Sequence, residues 1–95
     1  MKIKIPKQIF PIVEILWEDI FGQDTGWIKP GHNEIESCII SSVGYLVVDT
    51  KDYIVYASDL DKDGETNGRT QIPKVNIKHI KVLRKAKNEI SSISN

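Results

Sequence analysis

The run with the sharpest chemical pattern is DLDKDGETNGRT, which places Asp59, Asp61 and Asp63 ahead of Gly64. Carboxylates at alternate positions before a glycine repeat the opening of a calcium-binding loop, where oxygens converge on a hard cation and the glycine permits the turn. The closing bidentate Glu of such a loop has no counterpart, because Thr70 stands in its place, and the flanks read as strands rather than helices. Two readings follow. The sharper is a weak metal set of Asp59, Asp61 and Asp63; the simpler is a solvated hairpin loop that happens to be acidic.

The second candidate is electrostatic. The chain has no formal net charge, yet residues 1–68 carry −6 and residues 69–95 carry +6. Lys74, Lys78, His79, Lys81, Arg84, Lys85 and Lys87 make up most of the basic side. Such a separation fits a polyanion-binding patch, oppositely charged surfaces meeting between subunits, or a soluble tail with its lysines in water. With Tyr45, Tyr53 and Tyr56 as stacking platforms, Lys74, Lys78, Lys81, Arg84, Lys85 and Lys87 would form a phosphate track for RNA or single-stranded nucleic acid. The rival assignment puts those tyrosines in the core or in an interface.

Catalytic chemistry finds little support. His32 and His79 are far apart, with no second His or Cys at zinc-ligand spacing. Gly22 and Gly26 are isolated turn residues rather than a phosphate loop, and no Ser, His and acid grouping carries a local signature. Paired acids such as Glu18 and Asp19 are common on surface strands. The sequence therefore points away from an enzyme and suggests no cofactor. Cys38, the single cysteine, lies in an apolar strand pattern, so a buried thiol is expected there. Without an internal disulfide, secretory signal or membrane-length apolar run, a cytoplasmic protein with no membrane partner is the expectation.

The elements that must position these residues centre on 37–58, SCIISSVGYLVVDTKDYIVYAS. Two runs of β-branched and aromatic residues around Asp49, Thr50, Lys51 and Asp52 read as a β-hairpin. In the first arm Ile40, Ser42, Gly44, Leu46 and Val48 fall on one face and Ile39, Ser41, Val43, Tyr45 and Val47 on the other. Apolar side chains on both faces suit a strand that curls through a small barrel or shows one face to a second subunit. Gly44 is where it can bend or admit close backbone approach.

Ninety-five residues with 40% hydrophobic content make one domain, with 1–11 and 84–95 peripheral or frayed. Ile3 and Ile5 permit a brief edge strand before Pro6. The run IVEILWEDIF fits either a helix or a strand by periodicity alone, and the barrel reading favours a strand over 12–18, with Val13, Ile15 and Trp17 on one face. Residues 22–26 are a turn, Trp27 a lid on the core, and 33–36 a single helical turn. Residues 59–70 read as a polar surface loop, with a strand resuming at Gln71 and Ile72 and stopping at Pro73. The stretch after it fits a last strand over 79–83 or a helix face of Ile77, Ile80, Leu83 and Ala86.

The run IPKVNIKHIKVL resembles the end of a Src-homology-3-like barrel, where a strand stops at a Pro, a 3₁₀ turn seats one apolar residue, here Ile77, and a short strand with Ile80 and Val82 closes the sheet. The hairpin resembles the first motif of Sm-like proteins, with Gly44 and Leu46 in a bent strand, Asp49 near the turn, and Ile54 and Tyr56 beyond it. Adding Gly26 and Trp27, the run Ser-Val-Gly-Tyr-Leu and Ile-Pro-Lys, the chain resembles small Sm-like proteins of cyanophage type. The Asn usually found after that Asp is missing, and Lys74 and Val75 stand near where an Arg-Gly or Lys-Gly pair is usual, so no uridine pocket carries over. The resemblance implies a mainly β, strongly bent five-stranded barrel with a short helical turn or two. It also implies a homo-oligomeric ring closed by edge-strand pairing. The expected function is a non-enzymatic binding module for RNA or single-stranded nucleic acid. The alternative is a phage-encoded interaction or assembly protein that contacts a host or virion protein.

Overall fold

Alternation decides the first element. The computed structural model describes residues 5–21, 30 and 36–87. Within it Ile12–Phe21 is a strand, β1, rather than a helix. Val13 and Ile15 are fully buried and Trp17 packs beside them, so the period of two wins over the helical stripe. β2 (Glu36–Asp49) and β3 (Tyr53–Leu60) form the expected hairpin. Thr50 builds its turn: the Thr50 Oγ1 accepts from the backbone N–H groups of Asp52 and Tyr53 at 3.2 and 3.0 Å.

β4 (Thr66–Pro73), a 3₁₀ turn (Lys74–Asn76) and β5 (Ile77–Arg84) complete a mainly β chain with a single five-stranded antiparallel sheet, ordered β4-β3-β2-β1-β5. The strand alternative for the basic run therefore holds. Pro73 ends β4 as expected, and Ile77, just past the 3₁₀ turn, is packed against the core.

The sheet is not closed: β4 and β5 are its two ends and do not pair with each other. They are nonetheless joined by three residues. In a flat sheet its outer strands would lie about 19 Å apart, four gaps of about 4.8 Å. A 3₁₀ turn rises only about 2 Å per residue, so the sheet must curl until its ends approach. That curl is why Val13 and Ile15 of β1, Ile54 of β3 and Ile72 of β4 meet in one cluster, with Leu46, Tyr56, Ile77 and Ile80 around it. The turn is tied down where Asn76 donates its Nδ2 to the Glu18 carbonyl at 2.9 Å. Val82, expected to close the sheet, is instead 53% exposed. It sits opposite Val13 on the strand at the open end, where no further strand lies over it among the described residues.

β2 serves two neighbours in succession. Residues 36–45 pair with β1, and 45–49 pair with β3, with an irregularity between Leu46 and Val48. Gly44 sits at this handover with its backbone against β3. A Cβ there would lie 2.7 Å from both the Ala57 carbonyl oxygen and the Tyr56 ring, so close approach is what the missing side chain allows.

Four expectations are corrected. The polar loop over 59–70 is mostly strand: Asp59 and Leu60 end β3 and pair with Asn67 and Thr66 of β4. An end strand needs only backbone partners on one side, so polar residues suffice. Cys38 is exposed rather than buried. It shares the core-facing parity of Ile40 and Ser42, but β5 stops its pairing with β1 at Trp17, two residues short of the Cys38 partner Asp19. Ile5 is in no strand, and Glu36 opens β2 rather than closing a helical turn. Residues 22–26, Trp27, His32 and the final SSISN lie outside the described residues.

The peripheral ends are partly tied. The backbone N–H of Lys87 donates to the Gln8 carbonyl at 2.7 Å, and that of Leu46 to the Pro11 carbonyl at 2.9 Å.

Candidate functional site

β5 carries the basic residues, and its register decides which of them can act together. Because Val13 and Ile15 point into the core, Ile12, Glu14 and Leu16 point outward. Residues paired across strands share a face. The outer face of β2, β1 and β5 is therefore a grid whose rows are Tyr45, Ile12 and Arg84; Val43, Glu14 and Lys81; and Ser41, Leu16 and His79. Its β5 column is basic and its β2 column is largely apolar.

The predicted cationic set divides. Lys74 lies on the 3₁₀ turn with its Nζ 2.7 Å from the Asp49 Oδ1, and Lys78 lies in an irregularity of β5 with its Nζ 3.7 Å from the Glu18 Oε1. Both pairs sit at the surface. Lys81, Arg84, Lys85 and Lys87 are exposed and make no ion pair among the described residues. These four, at the C-terminal half of β5 and just beyond it, are the cations available to an anionic partner. His79 shares the outward column.

The tyrosines separate too. Tyr56 packs against the core, Tyr53 begins β3 beside the turn, and half-buried Tyr45 lies in the same outward row as Arg84. The strand on which a tyrosine sits could be read from sequence, but the partner strands that align Tyr45 with Arg84 could not.

The acidic loop resolves into the β3–β4 turn. The Asp61 Oδ1 accepts from the backbone N–H groups of Asp63 and Glu65, each at 2.9 Å, which makes Asp61 the organiser of the turn. The Asp59 Oδ2 accepts from the Ser58 hydroxyl at 3.1 Å on the strand. Gly64 supplies a left-handed backbone, φ +87°. Among the described residues no three His, Cys, Asp or Glu side chains stand together as a metal-ligand group.

Comparisons with protein-family models, with curated proteins and with solved structures returned no match to this chain. What the chain offers is thus its own geometry: an open, curled, five-stranded sheet with a basic column on one end strand. Among the described residues no helix is long and apolar enough to cross a membrane.

Proposed function

We propose that this chain is a non-enzymatic binding module of the Sm-like small-barrel kind, assembling with copies of itself and binding RNA or single-stranded nucleic acid along β5. The observation that carries the reading is the column of Lys81 and Arg84, continued by Lys85 and Lys87, all exposed and in no ion pair among the described residues, with Glu14 the one acidic cross-strand neighbour, beside Lys81. A positive track with Tyr45 in the Arg84 row supplies the two ingredients of single-strand recognition, phosphate contacts and an aromatic ring. Assembly draws support from the unclosed sheet, whose end strands β4 and β5 each keep one edge of backbone donors and acceptors for a neighbour.

The test is fluorescence anisotropy with a labelled oligouridine and a single-stranded DNA of equal length. Four phosphate contacts on a single strand imply a loss of about 50-fold in affinity between 50 and 200 mM salt. Lys81→Glu with Arg84→Glu should flatten that dependence. No binding at low salt by an intact assembly defeats the reading.

A second reading is a phage-encoded assembly protein that contacts a host or virion protein in the host cytoplasm, without a nucleic-acid ligand. It is favoured by Val75, an apolar residue 89% exposed at the 3₁₀ turn beside Lys74. Capture of the same host protein from nuclease-treated lysate, lost in Val75→Asp, would support it over the first.

A further inference from the structure

β2 has a second, separate edge. Leu46 donates its N–H to Pro11, the residue ahead of β1, so the even-numbered residues of β2 direct their backbone groups toward β1. By alternation along an antiparallel strand, Ile39, Ser41 and Val43 direct theirs the opposite way. β3 takes up that side only from Tyr45 onward, so among the described residues nothing pairs with these donors and acceptors. The side chains along this edge add to its exposure. Ile39 is 55% and Val43 is 54% exposed, with Ser41 between them and Leu16, itself exposed, opposite Ser41 on β1. No charged residue occurs from Ser37 to Tyr45 to discourage pairing. A long apolar edge without a Lys, Pro or bulge is a template for another strand.

A second copy is the occupant this edge suits, because an uncharged edge does not repel a copy of itself, and its three outward positions set the register. Ile39 and Val43 stand symmetrically about Ser41. Two copies of this segment placed antiparallel with Ser41 at the centre set each Ile39 against the Val43 of the other copy. Their outward-directed backbone groups then meet in register, residue 41 with 41 and 39 with 43. Such self-complementarity is what a two-fold interface requires. Glu14 and Glu18, one strand back from Val43 and Ile39, would face those of the other copy across three strand gaps, about 14 Å, beyond the screening length of about 8 Å.

We propose that the free edge of β2 is a two-fold interface, on which a second copy of this chain adds its own β2 with Ser41 on the axis and Ile39 facing Val43. The result is one continuous sheet running β5-β1-β2 through the axis into β2-β1-β5. This interface is distinct from the β4 and β5 edges invoked for assembly above and does not depend on them or on nucleic acid.

Replacing Cys38 by Ser and introducing Ser41→Cys puts one thiol per copy at the axis. Paired Cα atoms in an antiparallel ladder lie about 5.5 Å apart, within disulfide range. The expected result is a covalent dimer under mild oxidation, formed at least tenfold faster than from Cys38→Ser with Lys51→Cys, which has its thiol in the exposed β2–β3 turn. In parallel, Ile39→Lys with Val43→Lys should halve the light-scattering mass while the β-type circular dichroism stays, since neither residue is in the core. Equal cross-linking rates for the two cysteine variants, or an unchanged mass in the folded lysine variant, overturn the proposal. A mass that halves from a larger assembly, rather than falling to one chain, still supports it and shows that other edges assemble independently.

Discussion

At the scale of single residues, the close approach at Gly44 is the most demanding constraint in the fold. A methyl group there meets a backbone carbonyl and the Tyr56 ring at 2.7 Å, and the carbonyl cannot swing away without disturbing β3. Gly44→Ala should therefore cost about 1–3 kcal/mol, the usual penalty of overpacking. Urea unfolding checks it, as a lower midpoint at unchanged slope. The sequence pointed to this glycine, because a lone Gly inside a β-branched run has few other purposes. Cys38 escapes the burial that its strand pattern predicts, for the opposite reason. Parity along a strand reports which face a residue takes, but not whether anything lies over that face. The same distinction applies to the cations. Lys74→Ala removes an exposed pair worth about 0–1 kcal/mol and should leave both stability and oligonucleotide affinity nearly unchanged. Lys81→Ala should weaken binding and lower the steepness of the salt dependence by about one charge. A Lys74→Ala effect as large as that of Lys81→Ala in the anisotropy titration would mean the track runs over the 3₁₀ turn instead.

At the scale of elements, legibility followed runs of β-branched and aromatic residues. β1, β2 and β3 each carry one. β4 does not, since Asn67, Gly68, Arg69 and Thr70 contain nothing to bury. Their strand is held by backbone bonds to β3, and a one-dimensional pattern cannot display a partner strand. The acidic run was legible as chemistry and misleading as a loop. It belongs to a hairpin in which Asp61 bridges two backbone N–H groups while Asp59 stands on β3. Losing two exposed hydrogen bonds, each at the weaker end of the usual range, Asp61→Ala should destabilise by about 1–2 kcal/mol. By contrast, millimolar calcium should leave the melting temperature of the parent chain where EDTA leaves it. A calcium-dependent rise that vanishes in Asp61→Ala would restore the cation reading, because a ligand bound only by the native state must stabilise it.

At the scale of the whole molecule, the question is what becomes of the edges. Among the described residues four aliphatic side chains, from β1, β3 and β4, form the buried cluster. Under the proposed assembly, neighbouring copies would add to that burial. The β4 edge can be tested without touching that core. Lys74 donates its N–H to Asp52, so at this end of β4 Thr70 and Ile72 bond inward to β3 while Gln71 and Pro73 face outward. Pro73 fits this scheme, because its missing donor falls on the outer side. Gln71→Pro extends the same logic one step along the strand. It removes a single outward donor, keeps an extended backbone and leaves the β3 ladder whole. If copies join through the β4 edge, this variant should keep its circular dichroism while its light-scattering mass falls, and it should do so whether or not oligonucleotide is present. An undiminished mass would place assembly elsewhere, with the Ser41 axis of β2 the next edge to examine. A fall in mass seen only when nucleic acid is removed would mean that the ligand, and not the strand edge, holds the copies together.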